Sequence, residues 1–354
     1  GATAHVAGIA YTCAGNFLRV VTACHVIKKL SFPLYVLAVS LIVLELLLRM
    51  LGYRPYRNTD FRVVIEPPSA FTGDDSLGIA LVPGTFAFTL NDAVQFEATH
   101  TAAGHRLVVP AMPDTLPAIA MLGCSFTYGY GVDDAEHFSS LLQAQYPQLY
   151  LDNFGVPGYG TVQSLLQLEQ ALMERPWEAV VVVLSSLHPD RNALTPSFRR
   201  ELKVGFHRSG AGTDTALTDA RFPYADASGK VGFVAWNKLY QHPPLREWSA
   251  LVNAIFITID HRKAAQLQPE QVTAALLLHM DSLCRAANTR LVVAALDHSD
   301  YLTAVQQQVA EQHVAWVDLD FDFSDPAMTN APYDSHPNAE GHQYIAAKLA
   351  PLFH

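Results

Sequence analysis

From Pro117 onward, short apolar runs alternate with amphipathic segments, and this alternation constrains the fold more than any other feature of the chain. The apolar runs occupy residues 118–122, 149–154, 179–185, 290–296 and 315–319. The amphipathic segments have helical periodicity and occupy residues 136–146, 161–174, 270–287, 301–312 and 338–350. Continuous apolar strands separated by helices are typical of a parallel sheet that is covered on both faces. The sequence therefore predicts an α/β fold with about five parallel strands over residues 117–354.

The segments outside this rhythm are interpreted from their composition. In residues 76–116, short runs alternate apolar and polar residues between turn residues, which predicts a small β unit. Residues 52–75 are rich in Pro, Arg and Asp, and we interpret them as a linker. Residues 192–265 interrupt the alternation of strands and helices. We interpret them as an insertion that forms a lid or a substrate wall.

Residues 31–51 form the most apolar stretch of the chain and are long enough for a transmembrane helix. Their charges, Glu45 and Arg49, are four positions apart and share one face of the predicted helix. A long buried helix of a soluble domain is the alternative. A cleaved signal peptide fits poorly, because the run is too long and no small-residue cleavage site follows it. Basic residues flank both ends, so the charges do not decide the orientation.

The two ends of the chain differ in charge. Residues 1–60 have a balance of +4 and the remainder a balance of −14, within a net charge of −10. A basic, apolar front followed by an acidic body is typical of a membrane anchor joined to a soluble domain, and it disfavours nucleic-acid binding. Residues 1–30 are predicted to be an interfacial segment or a docking segment for another subunit, in preference to a second span. The cysteines lack the paired spacing of a zinc site, and no metal or cofactor is expected.

Three loops that follow predicted strands contain residues suited to chemistry, at the sheet edge where such folds bind ligands. In the first loop, Ser125 lies between a strand and a helix, where its hydroxyl and its backbone N–H can both reach a substrate. An ordinary glycine-rich turn is the alternative, and a phosphate loop would require a Gly-Lys-Ser/Thr ending that is absent. Glycines 155, 158 and 160 of the second loop allow close approach of the backbone to a ligand. In the last loop, His336 can serve as a general base, or the loop can simply cap the final helix through Asn338.

The stretches GCSFTYGYGV, NFGVPGYGT and DSHPNAEGH, in this order, resemble the SGNH/GDSL hydrolase superfamily. The apolar span ending in ELLLRMLGY and the segment DDSLGIALVPG are similar to a membrane-anchored bacterial branch of that superfamily. The resemblance implies a flavodoxin-like fold in which Ser125 is the nucleophile, His336 its base and Asp334 the acid that orients the base. It also implies an oxyanion hole formed by the N–H groups of Ser125 and Gly158. Cys124 replaces the usual acidic residue before the serine, and Asp334 precedes the histidine by two positions rather than the commoner three.

The third strand end departs further from the family pattern. Families of this type usually have an Asn-Asp pair there, whereas this chain reads SSLHPDRN at residues 185–192. His188 or Asn192 are the candidates for the missing side-chain donor to the oxyanion. We favour His188 because it is closer to the end of the strand.

These observations predict a membrane-anchored serine esterase or O-acyltransferase that works through an acyl-enzyme on ester-linked acyl groups of glycans or lipids. A single pass through the bilayer would leave the soluble domain on the periplasmic or extracytoplasmic side. The alternative is a catalytically weak or inactive accessory subunit, which would contact a membrane-protein complex through residues 1–51. A soluble secreted lipase would require removal of residues 1–51.

Overall fold

The computed structural model of the protein describes residues 32–57, 61–208, 217–312 and 314–353. The predicted interfacial segment 1–30 lies outside the described residues. Two compact units divide the described part: a smaller one of residues 32–57 and 243–258, and a larger one formed by the rest.

The larger unit contains all the strands of the described residues and most of the helices. The strands are β1 (Val63–Glu66), β2 (Phe71–Asp74), β3 (Gly78–Leu81), β4 (Gly84–Leu90), β5 (Val94–His100), β6 (Ala118–Leu122), β7 (Tyr150–Asn153), β8 (Ala179–Leu184), β9 (Arg221–Ala225), β10 (Val231–Ala235), β11 (Arg290–Ala295) and β12 (Ala315–Asp318). The helices of the described residues, both units included, are α1 (Phe32–Met50), α2 (Ser125–Tyr128), α3 (Phe138–Gln145), α4 (Thr161–Glu174), α5 (His188–Asn192), α6 (Pro196–Arg208), α7 (Trp236–Leu239), α8 (Ala250–Leu267), α9 (Pro269–Ala286), α10 (Asp300–Ala310) and α11 (Ala339–Leu349).

A five-stranded parallel sheet forms the centre of the larger unit, in the order β12–β11–β8–β6–β7. Strands β6 and β8 are buried at every residue, which explains why they read as continuous apolar runs. Val180 and Val182 of β8 pack in one hydrophobic cluster with α4, α9 and α10. Val181 and Val183 pack in another cluster with α3 and α11 on the opposite face. The predicted α/β fold with about five parallel strands between helices is confirmed.

The small β unit precedes the parallel sheet, as predicted, but begins earlier than expected. Strands β1, β4 and β5 form an antiparallel sheet, and β2 pairs with β3. Strands β1 and β2 lie within residues 52–75, which the sequence analysis interpreted as a linker. The prolines in that segment suggested a linker, whereas Val63 pairs with Leu90, a partner that local composition does not reveal.

The predicted insertion 192–265 contains regular structure where the structure describes it. Helix α6 is followed, beyond the undescribed residues 209–216, by the antiparallel pair β9–β10 and by α7. Helix α8 begins at Ala250, near the end of this insertion, and continues to Leu267. The role of this insertion as a lid or substrate wall stays a prediction.

The smaller unit consists of α1 with the residues that follow it, and of residues 243–258. Helix α1 has 19 residues with a mean hydropathy of 2.0, and none of it is buried. By length and composition it is the one helix of the described residues that is able to cross a membrane.

Candidate active site

Ser125 lies where the strand β6 turns into helix α2. Gly123 and Cys124 form the turn between them, and Ser125 is the first residue of the helix. Gly123 has a φ of +154°, and a Cβ at this position would lie 2.2 Å from Thr127 Oγ1, so the turn requires glycine. The hydroxyl of Ser125 is thereby held at the carboxyl edge of the parallel sheet, where folds of this class bind their ligands.

The loop between β12 and α11 brings His336 and Asp334 to this serine. His336 Nε2 lies 2.9 Å from Ser125 Oγ, and His336 Nδ1 lies 2.6 Å from Asp334 Oδ1. The same carboxylate oxygen accepts the backbone N–H of His336 at 2.7 Å. The two-residue spacing therefore forms an Asx turn, in which one oxygen holds both the backbone and the ring of the histidine. The spacing that departs from the family pattern is compatible with the geometry of a catalytic triad.

The charge state of Asp334 defines the direction of this hydrogen-bond chain. Burial alone would raise the pKa of Asp334, but the hydrogen bonds from the side chain and backbone of His336 lower it below its ordinary value. An ionised carboxylate only accepts hydrogen bonds, so Nδ1 of His336 carries the proton that it donates to Asp334. When the ring carries only this proton, Nε2 accepts a hydrogen bond from the hydroxyl of Ser125. This is the arrangement in which an imidazole removes a proton from a serine.

Two aromatic rings enclose the imidazole of His336. The ring centroids of Phe126 and Tyr130 lie 5.3 Å and 5.0 Å from that of His336. Burial, together with the nearby charge of Asp334, raises the pKa of Tyr130, which keeps its phenol neutral. The two rings pack beside the imidazole and restrict its position. The sequence analysis did not single out these two residues, although their aromatic pattern within GCSFTYGYGV was available as a signal.

The loop between β7 and α4 lies against the turn that carries the serine. Val156 N–H donates to the carbonyl of Gly123 at 3.3 Å, and a Cβ at Gly155 would lie 2.3 Å from the backbone nitrogen of Tyr128. Gly158, further along this loop, has a φ of +85°. Within the described ranges, neither Gly158 N–H nor Ser125 N–H donates to a protein acceptor. Both groups predicted for the oxyanion hole are therefore available for a ligand, and their role stays a prediction.

The two candidates for the third oxyanion donor differ in their surroundings. The amide of Asn192 is engaged at both ends, since its Oδ1 accepts from Val162 N–H at 3.1 Å and its Nδ2 donates to Thr273 Oγ1 at 2.9 Å. His188 is buried with Nδ1 3.2 Å from Thr161 Oγ1, and its Nε2 has no hydrogen-bond partner in the described part of the chain. Burial lowers the pKa of His188 well below its ordinary value, so the ring is neutral. His188 thus stays the better candidate of the two.

Arg106 is a buried charge near the site that the sequence analysis did not single out. Its Nη2 lies 3.0 Å from Asp134, and its guanidinium lies over the ring of Tyr128 at 4.8 Å. The backbone N–H of Arg106 donates to the carbonyl of Asn153 in β7 at 3.0 Å, which joins the small β unit to the edge of the parallel sheet. Its position next to Tyr128, the last residue of α2, indicates a structural role. No local sequence signal distinguishes a buried arginine from an exposed one.

A metal site is not evident in the described ranges, which contain no group of three or more His, Cys, Asp or Glu side chains suited to hold an ion. His342, which the sequence places six residues after His336, is buried and accepts the backbone N–H of Phe138 at Nδ1, 3.2 Å away. Its contacts are those of a structural residue.

Comparisons with known proteins give only distant likenesses. No family model matches the sequence, and a search of curated proteins finds no match. Among solved structures, the chain is similar to TesA, with 14% identity and a TM-score of 0.37 over 66% of this chain and 96% of that chain. It is similar to the psychrotrophic esterase EstA from Pseudoalteromonas sp., with 14% identity and a TM-score of 0.36 over 66% of this chain and 94% of that chain. A catalytic mutant of Axe2, an acetylxylan esterase from Geobacillus stearothermophilus, has 12% identity and a TM-score of 0.37, over 67% and 94% of the two chains. These likenesses are too distant to assign an activity, so function must be inferred from the geometry around Ser125.

Proposed function

We propose that the protein is a serine hydrolase or acyltransferase that cleaves acyl esters. The observation that carries the proposal is the hydrogen-bond chain from Ser125 Oγ through His336 to Asp334, with distances of 2.9 Å and 2.6 Å. In an α/β fold, a serine at a strand–helix turn with an imidazole oriented by a carboxylate is the arrangement expected of an acyl-transfer enzyme. The resemblance of the loop motifs to SGNH/GDSL hydrolases agrees with this geometry.

The reaction follows from the positions of these atoms. Ser125 Oγ attacks the ester carbonyl while its proton passes to His336 Nε2, and Asp334 stabilises the imidazolium that forms. The N–H groups of Ser125 and Gly158 stabilise the oxyanion. Collapse of this intermediate breaks the bond to the alcohol, which takes the proton from His336. Water or a second hydroxyl then attacks the acyl-enzyme while His336 removes its proton. The bond from the acyl group to Ser125 Oγ breaks, and His336 returns the proton to that oxygen.

The choice between hydrolysis and transfer depends on the second nucleophile. Water gives an esterase, and a sugar or lipid hydroxyl gives an O-acyltransferase. Incubation with an acyl donor and a panel of glycans separates these outcomes, because only transfer yields an acylated acceptor detectable by mass spectrometry.

We also propose that α1 anchors the enzyme in a membrane as a single pass, with the catalytic unit on the extracytoplasmic side. Its 19 residues, most of them apolar, would span about 28 Å at the helical rise, close to the thickness of a bilayer core. None of α1 is buried, which supports contact with lipid rather than with a protein core. An anchor of this kind favours ester-bearing glycans or lipids of the cell envelope as substrates. Intact-mass measurement of the purified protein tests the anchor, because removal of α1 as a signal sequence would contradict it.

Labelling with a fluorophosphonate probe tests the catalytic proposal. The wild-type protein is expected to become labelled, and Ser125→Ala or His336→Ala is expected to abolish the label. The matched control is His298→Ala, because His298 forms a second His–Asp pair, with Asp320, on the exposed surface. Absence of labelling in a well-folded wild type would contradict the enzyme and favour the accessory subunit. Co-purification at fixed stoichiometry with a larger membrane assembly would then be expected.

A further inference from the structure

Helix α1 carries a charged pair at a depth where charge is costly. Glu45 precedes Met50, the last residue of α1, by about 7–8 Å along the helix axis. Arg49 lies one turn later and donates from Nε to Glu45 Oε1 at 2.6 Å. If α1 spans a bilayer, the carboxylate of Glu45 lies below the surface of the apolar layer, where an ionised group persists only when other groups satisfy it.

The groups that satisfy Glu45 come from the start of helix α8. One carboxylate oxygen accepts the N–H of Ala250 at 2.9 Å, in addition to the bond from Arg49. The other accepts the hydroxyl of Ser249 at 2.8 Å and the N–H of Leu251 at 2.9 Å. Glu45 therefore caps the N-terminus of α8 from a different helix, which satisfies donors that have no partner within α8 itself.

Further contacts hold the segment before α8 along the end of α1. Arg49 Nη2 donates to the carbonyl of Trp248 at 2.7 Å. Beyond the helix, Tyr56 N–H donates to the carbonyl of Arg246 at 3.0 Å, and Asn253 Nδ2 donates to the carbonyl of Arg54 at 2.9 Å. These bonds attach residues 246–253 to residues 45–56 at several levels, so the two segments share the same depth in any membrane that α1 crosses.

This attached segment exposes large apolar side chains. The exposed fraction of Trp248 is 78% and that of Leu245 is 64%. Ile255 and Ile257, in the first half of α8, are exposed as well. Adjacent exposed apolar residues mark a surface that contacts a partner, and tryptophan is enriched at the interface between lipid and water.

We propose that residues 245–257 are a second membrane contact, which enters the headgroup region of the bilayer beside the carboxyl end of α1. The proposal rests on the membrane anchoring by α1 argued above. Its partner is the lipid surface itself, because hydrogen bonds hold this segment against the last turns of α1 and the residues that follow, where that helix would leave the apolar layer. In this arrangement the enzyme contacts the bilayer through a rigid pair of elements rather than through a single tethering helix.

Depth-dependent fluorescence quenching of Trp248 tests the proposal. The full chain is placed in nanodiscs of phosphatidylcholine brominated either near the headgroup or near the end of the acyl chain. The chain has 4 tryptophans, of which Trp177 and Trp236 are buried, so the difference between wild type and Trp248→Phe isolates the emission of Trp248. Shallow bromines are expected to remove about half or more of that emission and deep bromines clearly less, as for an interfacial tryptophan. The matched control, Trp177→Phe, removes a buried tryptophan and should leave the quenching unchanged.

A second variant separates failure of this proposal from failure of the anchor. Leu41→Trp, introduced in the Trp248→Phe background, reports on the middle of α1 and should be quenched most by deep bromines. If it is quenched while Trp248 is not, the anchor stands and the second contact is wrong. If neither tryptophan is quenched, α1 does not cross the bilayer and the second contact is wrong with it. Glu45→Ala, which removes the cap of α8, is expected to weaken the quenching of Trp248 and leave that of the α1 reporter.

Discussion

Two His–Asp pairs lie in the loops that follow the strands of the parallel sheet. They have the same functional groups but differ in exposure and in the side chains that contact them. In the first pair, the side chains of His336 and Asp334 are 20% and 5% exposed. In the second, those of His298 and Asp320 are 68% and 48% exposed. His336 has Ser125 on its other ring nitrogen, whereas Asp320 is shared with Lys348 at 3.5 Å.

The charge of the carboxylate does not distinguish the two pairs. The hydrogen bond from His298 lowers the pKa of Asp320, so this carboxylate is ionised at neutral pH, as Asp334 is. In the exposed pair, however, water screens the attraction and competes for both partners. A His–Asp pair is therefore a candidate base only where burial fixes the ring and a hydroxyl contacts its second nitrogen.

Loss of the buried histidine is expected to have the greatest effect on catalysis. His336→Ala removes the base, so hydrolysis of a short p-nitrophenyl ester should fall by about 10⁴–10⁶-fold in kcat. The matched change His298→Ala should leave the rate within about twofold, because exposed ion pairs contribute little. Steady-state kinetics on both variants, with circular dichroism to verify folding, decides the matter. Equal losses in the two variants would contradict the assignment of the site.

The second largest loss of activity is expected when the buried carboxylate of Asp334 is replaced. In Asp334→Asn the amide can donate to Nδ1 of His336, which favours the tautomer that cannot accept the proton of Ser125. A loss of about 10⁴-fold in kcat is expected. Asp320→Asn makes the same change in the exposed pair and should be nearly silent in the same assay. Retention of full activity by Asp334→Asn would remove the acid from the proposed triad.

A smaller effect on catalysis is expected at Gly158, whose N–H is a proposed oxyanion donor. Gly158→Ala places a side chain at a φ of +85°, which shifts the loop that carries the proposed oxyanion donor. A loss of about 10²–10³-fold is expected, mainly in kcat, because the donor acts on the oxyanion rather than on the bound ester. Gly104→Ala is the matched control, since Gly104 has a similar φ of +77° in a turn of the small β unit. An equal fall in both variants would indicate general backbone strain.

A strand could be predicted from the sequence where its own residues reveal it, and not where it depends on a partner elsewhere in the chain. The sequence predicted strands at 118–122 and 179–185, and the structure has Ala118–Leu122 and Ala179–Leu184, because strands buried on both faces read as continuous apolar runs. Strand β1 was missed because its partner in β4 lies far along the chain.

The same distinction applies to the sites. Ser125 and His336 could be singled out from their loops, and Asp334 from the resemblance of those loops to a family. The surroundings of His188 could not be predicted, since they depend on Thr161 in another helix. Glu45 reads as the partner of Arg49 in the sequence, and only the fold reveals that it caps α8, about 200 residues later.

The smallest expected effect concerns stability and His342, a buried histidine six residues after His336. In the described part of the chain, this histidine forms no pair with a carboxylate. Burial, with the nearby charge of Arg106, lowers the pKa of His342 from 6.5 to about 3. Between pH 6.5 and pH 3, His342 is therefore protonated in the unfolded chain but not in the native protein. The free energy of unfolding falls as the pH decreases through this range. One such group contributes at most about 1.4 kcal/mol per pH unit. His342→Gln, which keeps an acceptor for Phe138 N–H, should reduce the loss of Tm between pH 6.5 and pH 4.5 relative to wild type. An unchanged loss would mean that His342 is protonated in the native state, and that burial without a carboxylate does not keep a histidine neutral in this fold.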